Sequence, residues 1–392
     1  MSIEARACWV LESLGAPDAA VTLRPEAWEQ VDRGERPHGD EIAEAFFHLA
    51  RVEERGGPRD QHGRFPASAS CLDPLDPPLE RLRERLGVTP PRWGGAKFAV
   101  ALTHDVDTPW RWTAIGVRGA AARLKSHALA GRGRAALREA RALSSVPVHR
   151  LRRTDPNWSF ERVISIERER GAGSTFFVMA GHRHAADGAS PETYDRLRPR
   201  LVETLRAGGA EIGLHGSYTS AANSDRLRAE KDALEELAGE VDGQRYHYLR
   251  VDPHRNLRPL EELGFAYDSS LGFAGAVGFR AGIAHPFRPW DFQRERPFNL
   301  MEIPLAAMDA TFEERYLNLS AHQAEPHLVR LLEQAAERGG GFAILWHTDR
   351  FDPASPQRWD RLYERVIESV YDLGGVCMSA GALAKEAAAS LR

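Results

Sequence analysis

The sequence predicts an α/β fold in which a parallel sheet is closed, or nearly closed, into a barrel. Three observations predict it. From Lys97 onward, apolar runs of strand length alternate with longer segments of helical period. Several of those helical segments end in glycine, the usual left-handed cap. Titratable residues collect just beyond the carboxyl ends of the apolar runs, where the loops of a parallel α/β barrel converge over one opening. A doubly wound open sheet is the competing architecture. No GxGxxG or GxxxxGK[ST] follows a run, so nucleotide binding has no motif to rest on.

Taken in order, the first 92 residues have a different texture and are expected to form a small N-terminal accessory module, with the barrel spanning 93–392. EIAEAFFHLARVEE (41–54) places Ala45, Phe46, Leu49 and Val52 on one helical stripe, and Pro- and Gly-rich stretches over 55–70 and 73–80 punctuate the chain around it. The strand-like runs follow: KFAVAL (97–102), STFFVMA (174–180), AEIGLH (210–215), RYHYLRV (245–251), FAYDSS (265–270), LMEIPL (300–305), GFAILWH (341–347) and GVCMSA (375–380). Between them lie helical segments such as ETYDRLRPRLVETLRAG and EPHLVRLLEQAAERG. One segment breaks the rhythm. Residues 111–153 hold eleven Lys or Arg against a single acidic residue, Glu139, in an Ala-rich stretch of helical character. It reads as a basic helical insertion: either a solvated excursion, or a docking surface for an anionic membrane or a phosphate-bearing substrate.

Composition bounds the function. The chain has 392 residues and a net charge of −4, with no global basic surplus, so nucleic acid is not an expected partner. Cys8, Cys71 and Cys377 are odd in number and form no CxxC pair, which indicates neither a disulfide framework nor a thiolate zinc site and suits a reducing compartment. MSIEARACWVLESLGAP carries acidic residues early, and no segment reaches the roughly 18 apolar residues that span a bilayer. Cytoplasmic placement is the expectation, with peripheral contact at the inner membrane face through 111–153 as an option.

ALTHDVDTPW (101–110) carries the chemistry. If the first strand persists through it, Asp105 and Asp107 point to the same side, because residues two apart share a face. Two carboxylates so close need a cation or a donor between them. A divalent metal bound by one, with the other accepting a proton from activated water, is one solution. Capping of the following loop is the bland alternative. Other run ends add His182 and His184, His215, Arg250 and Asp252, and His347 with Asp349, which could fix the imidazole tautomer. His247 alternates with aromatic neighbours and reads as a hydrogen-bonded strand residue. Trp110, Tyr218, Phe273 and Trp290 lie in loops from which aromatic faces can stack on sugar rings.

THDVD at the first strand end, STFFV at the second and EIGLHGSYTS at the third occur in the order of one family. The chain resembles the polysaccharide deacetylases of carbohydrate esterase family 4, over about residues 95–385. The resemblance implies a distorted (β/α)7 barrel and metal-assisted hydrolysis of acetyl groups from N-acetylated sugars. Carried over, Asp105 is the catalytic base and Asp107 a metal ligand. His215 matches the first of two metal-binding histidines four apart. His347, after Leu345, matches the general acid, and Arg250 in HYLRVDP is most like the arginine that orients the base. HDVD, GFAYDSSLGF, GFRAG and HPFRPWDF, with AFFHLARVEE and HGRFPAS upstream, resemble a branch found with bacterial exopolysaccharide and surface-glycan biosynthesis, which implies a carbohydrate or lipid-linked glycan substrate. Tyr218 and Trp290 are the expected substrate contacts.

The sequence departs from the pattern at Thr219, which stands where the second histidine would be. Catalytic zinc sites usually have three protein ligands and a water. The expected cofactor is a divalent cation, zinc or similar, and three explanations compete. His182, His184 or His104 supplies the third ligand; the metal is held weakly by two ligands, Thr219 and water, which suits a hard, water-rich shell better than tight zinc; or the metal is lost and the barrel is a catalytically inactive glycan-binding or assembly protein.

Overall fold

The structure is a computed structural model and describes residues 2–181, 184–188, 191–313, 315–352 and 355–390. Nine strands form one parallel sheet: β1 (Ala99–Val106), β2 (Thr175–Val178), β3 (Glu211–Gly216), β4 (Gly243–Tyr246), β5 (Tyr267–Asp268), β6 (Met301–Glu302), β7 (Leu305–Met308), β8 (Gly341–Leu345) and β9 (Val376–Met378). Their order is β6-β5-β4-β3-β2-β1-β8-β7, with β9 against the lower part of β1.

The two outermost strands are halves of one segment. Only Ile303 and Pro304 separate β6 from β7. The Ile303 N–H donates to the Asp268 carbonyl on one side (2.9 Å), and the Pro304 carbonyl accepts from Ala343 on the other (2.8 Å). The ladder changes sides at Pro304, which has no N–H to give. Residues 301–308 therefore act as a single stave that curls the sheet round. With β1 to β5 and β8, that makes the seven staves of the expected (β/α)7 barrel, with helices outside.

Alternation along β1 sorts its residues. Ala99 and Ala101 face the interior with Phe177, Tyr267, Met301, Ile303 and Leu345, and the C-terminal helix (Ala380–Ser390) packs Leu383 and Ala387 into the same cluster. Val100, Leu102 and Val106 face the outer layer with Phe176, Val178 and Leu214. Beyond Leu102 the interior side of β1 continues as Thr103 and Asp105. The apolar strand ends in charge because it crosses from the barrel core to its mouth.

The helices of the first 92 residues share the outer-layer core with the barrel. Trp9 lies 5.2 Å from Trp290 and 5.4 Å from Phe46, ring centre to ring centre. Buried Glu54 pairs with Arg280 at 2.6 Å. Residues 111–153 form a helical hairpin (Ala114–Leu129 and Gly133–Arg152) packed on itself through Val117, Ala120, Leu143 and Val146, with Trp112 at its root. No helix among the described residues is long and apolar enough to cross a membrane.

RYHYLRV is expected as a strand over 245–251, yet β4 stops at Tyr246. The chain then turns through Tyr248 (φ 61°) and Leu249 (φ 54°), both in the left-handed region that side chains with a Cβ avoid. That turn decides what sits over the barrel mouth.

Candidate active site

Asp105 ends the interior face of β1 and meets Arg245 from β4: Nη1 donates to Asp105 Oδ1 at 3.0 Å and to Thr103 Oγ1 at 2.8 Å. Arg245 also donates from Nε to the Ser269 carbonyl (2.7 Å) and from Nη2 to Ser269 Oγ (2.8 Å). Its guanidinium lies 4.5 Å from the centre of the Phe177 ring. Phe177 has room for that position because residue 213 is glycine; a Cβ there would come within 2.6 Å of the ring. Arg245 is fully buried, so its charge, held by fixed acceptors, has Asp105 as its counter-ion.

Asp107, His215 and His247 form the second part of the site. His215 comes from β3, and His247 follows β4, two residues beyond Arg245 on the same side. Asp107 Oδ1 lies 3.2 Å from His215 Nε2 and 3.5 Å from His247 Nε2. One donor atom from each of the three residues lies within 4.8 Å of the others, close enough to share one cation. Asp107 Oδ1 and His215 Nε2 are buried with no hydrogen-bond partner among the described residues, which is costly unless something else occupies the space between them. The remaining ring nitrogens are engaged: His215 Nδ1 lies 3.0 Å from the Arg245 carbonyl, and His247 Nδ1 lies 3.3 Å from Asp187 Oδ1. Both acceptors take a proton from Nδ1, so both Nε2 atoms face the site, the arrangement that orients histidine ligands. Burial alone would push the His247 pKa down, but Asp107 in front and Asp187 behind carry it up to about 9. Burial alone would raise the Asp107 pKa, and His247 and His215 hold it well below the carboxylate range. The site thus favours positive charge at its centre. Another grouping with metal-ligand chemistry, His48, Glu53 and Cys71, lies in the N-terminal residues, but its carboxylate already takes Arg51 (2.6 Å) and Ser70 (2.7 Å).

His347, just past β8, completes the mouth. Its Nε2 is 3.7 Å from Asp107 Oδ2, and its Nδ1 is 2.7 Å from Asp309 Oδ1. Asp309, at the end of β7, is fully buried and also takes Arg350 at 2.6 Å. Burial would depress the His347 pKa; Asp309 outweighs it and carries it up to about 10. Asp107 and His347 keep 32% and 18% of their side-chain surface exposed, so the cluster opens to solvent on that side.

The structure thus brings Asp105, Asp107, His215 and His347 together, and places other expected residues elsewhere. Arg250 does not reach Asp105: it donates to the carbonyls of His62 (2.8 Å) and Tyr218 and lies over the Tyr218 ring, because the chain has already left the ladder after Tyr246. Arg245 holds the position against Asp105 instead. Of the candidate third ligands, Thr219 accepts from Arg226 on the following helix (2.5 Å). His104 faces the outer layer, by strand alternation, and its Nε2 meets Glu167 at 2.7 Å. His184 is exposed and stacks on Tyr218, with ring centres 4.4 Å apart. His182 lies outside the described residues. Tyr218 has His184 stacked on its ring and the Arg250 guanidinium 3.9 Å from its centre. Trp290 is buried between Trp9 and Phe46, in the core rather than at the mouth. The tautomer partner of His347 is Asp309, while Asp349 faces Arg350 at 3.5 Å.

Four residues of the site have no reading in the sequence as site members: Arg245, His247, Asp187 and Asp309. For two of them a signal exists. The alternation that pairs Asp105 with Asp107 also pairs Arg245 with His247. Asp187 and Asp309 sit in irregular segments, and no local pattern marks them.

No family model matches the chain, and no curated protein matches it. Among solved structures, it is similar to a protein of Mycobacterium smegmatis described as a candidate polysaccharide deacetylase, with 20% identity, a TM-score of 0.50, and coverage of 77% of this chain and 94% of that one. A Bordetella bronchiseptica protein described as a candidate polysaccharide deacetylase involved in O-antigen biosynthesis aligns at 15% identity with a TM-score of 0.33, covering 75% of this chain and 93% of that one. A 4-alpha-glucanotransferase of Thermococcus litoralis aligns at 12% identity with a TM-score of 0.40, covering 74% and 40% respectively. The likeness to the Mycobacterium protein is one of fold: the chain has the barrel of the polysaccharide deacetylase type.

Proposed function

We propose that this protein is a metal-dependent hydrolase that removes N-acetyl groups from a sugar or glycan precursor. The observation that carries the reading is the composition of the barrel mouth: a two-histidine, one-carboxylate cluster with orphaned buried donors, flanked by an arginine-held carboxylate and by a carboxylate-held histidine.

Asp107, His215 and His247 would hold a divalent cation of the zinc type, a donor set that leaves coordination positions open. Such a cation, when bound, polarises an acyl oxygen and lowers the pKa of a water. Asp105 would take the proton of the attacking water. Arg245 pairs with that carboxylate and fixes its direction, so the acceptor oxygen is the one away from the guanidinium. His347, with Nδ1 held by Asp309, presents Nε2 to the mouth and would give its proton to the departing amine. The exposed edge of Asp107 and His347 is where the substrate would enter. The alternative, a catalytically inactive glycan-binding or assembly protein, rests on the missing histidine at 219; His247 beside Asp107 supports the hydrolase reading over it.

The test is acetate release from N-acetylated oligosaccharides by purified protein, with and without chelator. Asp105→Asn should lower turnover by about 100-fold or more, the scale of a lost general base. Turnover unaffected by Asp105→Asn or by chelation rejects the reading.

A further inference from the structure

We infer that the hairpin 114–152 is a docking element for an anionic bilayer, seated through the outer face of its second helix. Six large hydrophobic side chains stay exposed among the described residues: Ile115, Leu129, Leu137, Val148, Leu151 and Leu317. All but Leu317 are on this hairpin, with Leu129 80% and Leu151 86% exposed. Exposed leucines scattered singly need no explanation, but this concentration on one protruding element does.

The second helix orders them. At 3.6 residues per turn, Leu137, Val148 and Leu151 fall within an arc of about 60°. Arg134, Arg138, Arg141 and Arg152 are exposed in the adjoining arc of similar width, beside the apolar stripe. These four arginines form no ion pair with the described residues. The hairpin's single carboxylate, Glu139, is turned inward onto Arg123 (3.0 Å) and Arg111 (4.0 Å), so nothing acidic offsets the outer face. An apolar stripe running beside a basic one along a single helix matches a helix that lies in the bilayer interface, the apolar side dipping below the headgroups and the arginines meeting anionic lipid.

The hairpin is rooted at the barrel mouth. It leaves the chain seven residues after Asp107. On its return, Asp155 accepts from the Arg111 and Trp112 N–H groups (2.8 Å each), and Asn157 donates to the Thr108 carbonyl (2.8 Å). A bilayer held by the hairpin would therefore be anchored to the rim of the candidate site. That link rests on the hydrolase reading and fits a glycan carried on a lipid; the docking itself does not depend on it.

The experiment is vesicle co-sedimentation of the full chain with phosphatidylcholine alone and with phosphatidylcholine mixed with phosphatidylglycerol, a measurement that involves no catalysis. Since each basic residue near an anionic surface strengthens binding by about fivefold, Arg134→Gln, Arg138→Gln, Arg141→Gln and Arg152→Gln combined should weaken binding to the mixed vesicles at least about tenfold. High salt should do the same, and Leu137→Ser with Leu151→Ser should give a comparable loss. These side chains lie outside the hairpin's internal packing, so circular dichroism and thermal unfolding should be unchanged. Absence of binding to mixed vesicles, equal binding to neutral ones, or substitutions that convert an oligomer to a monomer without altering partition would overturn the inference.

Discussion

Arg64, from the N-terminal residues, donates from Nη1 to the main-chain carbonyl of Tyr248 at 3.1 Å, one residue beyond His247. The same guanidinium is fixed by Asp60 (2.8 Å) and by the Tyr316 hydroxyl (3.0 Å). Tyr248 and Leu249 are consecutive left-handed residues, each costing of order 1 kcal/mol, and they persist only because the surroundings over-determine them. Arg64 thus braces the turn that follows His247. Arg64→Ala should weaken zinc retention about tenfold, in the range seen when groups behind a ligand are removed, as measured by competition with a chromogenic chelator. Unchanged zinc affinity in a folded variant would show that the turn holds itself.

Arg245→Met tests the other half of the site. It removes the counter-charge of a carboxylate that is only 5% exposed and leaves Ser269 without its donors. Breaking a buried pair from one side costs about 3–5 kcal/mol, so unfolding in denaturant should shift measurably. Turnover should fall by about 100-fold or more, because Asp105 loses its ion-pair partner and its aim. Arg250→Met provides the contrast: it is a clasp on the His62 and Tyr218 carbonyls, and it should leave the Asp105 step intact.

Metal binding should follow His247 and ignore residue 219. His247→Ala removes one of three donors and should cost at least about 100-fold in zinc affinity, read by competition titration and by metal content after dialysis. Thr219→Ala should leave both unchanged, since its hydroxyl serves Arg226. The opposite ranking would return the third position to the loop after β3.

These contrasts show where the sequence was legible. Strand and helix periods carried the barrel, because each stave needs an apolar interior face and a helix to cover it. The same alternation placed Asp105 and Asp107 on one side. It failed at RYHYLRV only because the end of the strand is set by tertiary contacts: the clamp from Arg64 and the left-handed turn at 248–249 are invisible in local composition. With the strand read as running to Val251, Arg250 stood at its tip and His247 in its middle. Asp309 and Asp187 reach their histidines across 38 and 60 residues, and no spacing rule spans such distances. Trp290 looked like a loop aromatic, but the N-terminal helices cover it.

Glu54 provides a prediction independent of any ligand. It is fully buried where the N-terminal residues meet the barrel, between Arg280 (2.6 Å) and Arg51 (2.9 Å). Burial would raise its pKa, but the two arginines hold it at about 2, against 4.5 for an ordinary glutamate. Because the folded value is the lower one, the unfolded chain takes up the proton first as pH falls. The pair's contribution is therefore complete above about pH 4.5 and is lost as pH drops toward 2. A depression of this size corresponds to about 3 kcal/mol. In denaturant titrations the wild-type protein should lose stability steeply between pH 4.5 and pH 2. Glu54→Gln should be destabilised at neutral pH and flatter across that window. Parallel slopes for the two proteins would mean that another carboxylate governs the acid transition, with Glu80, also held at about 2 beside His285 and Arg83, the next to test.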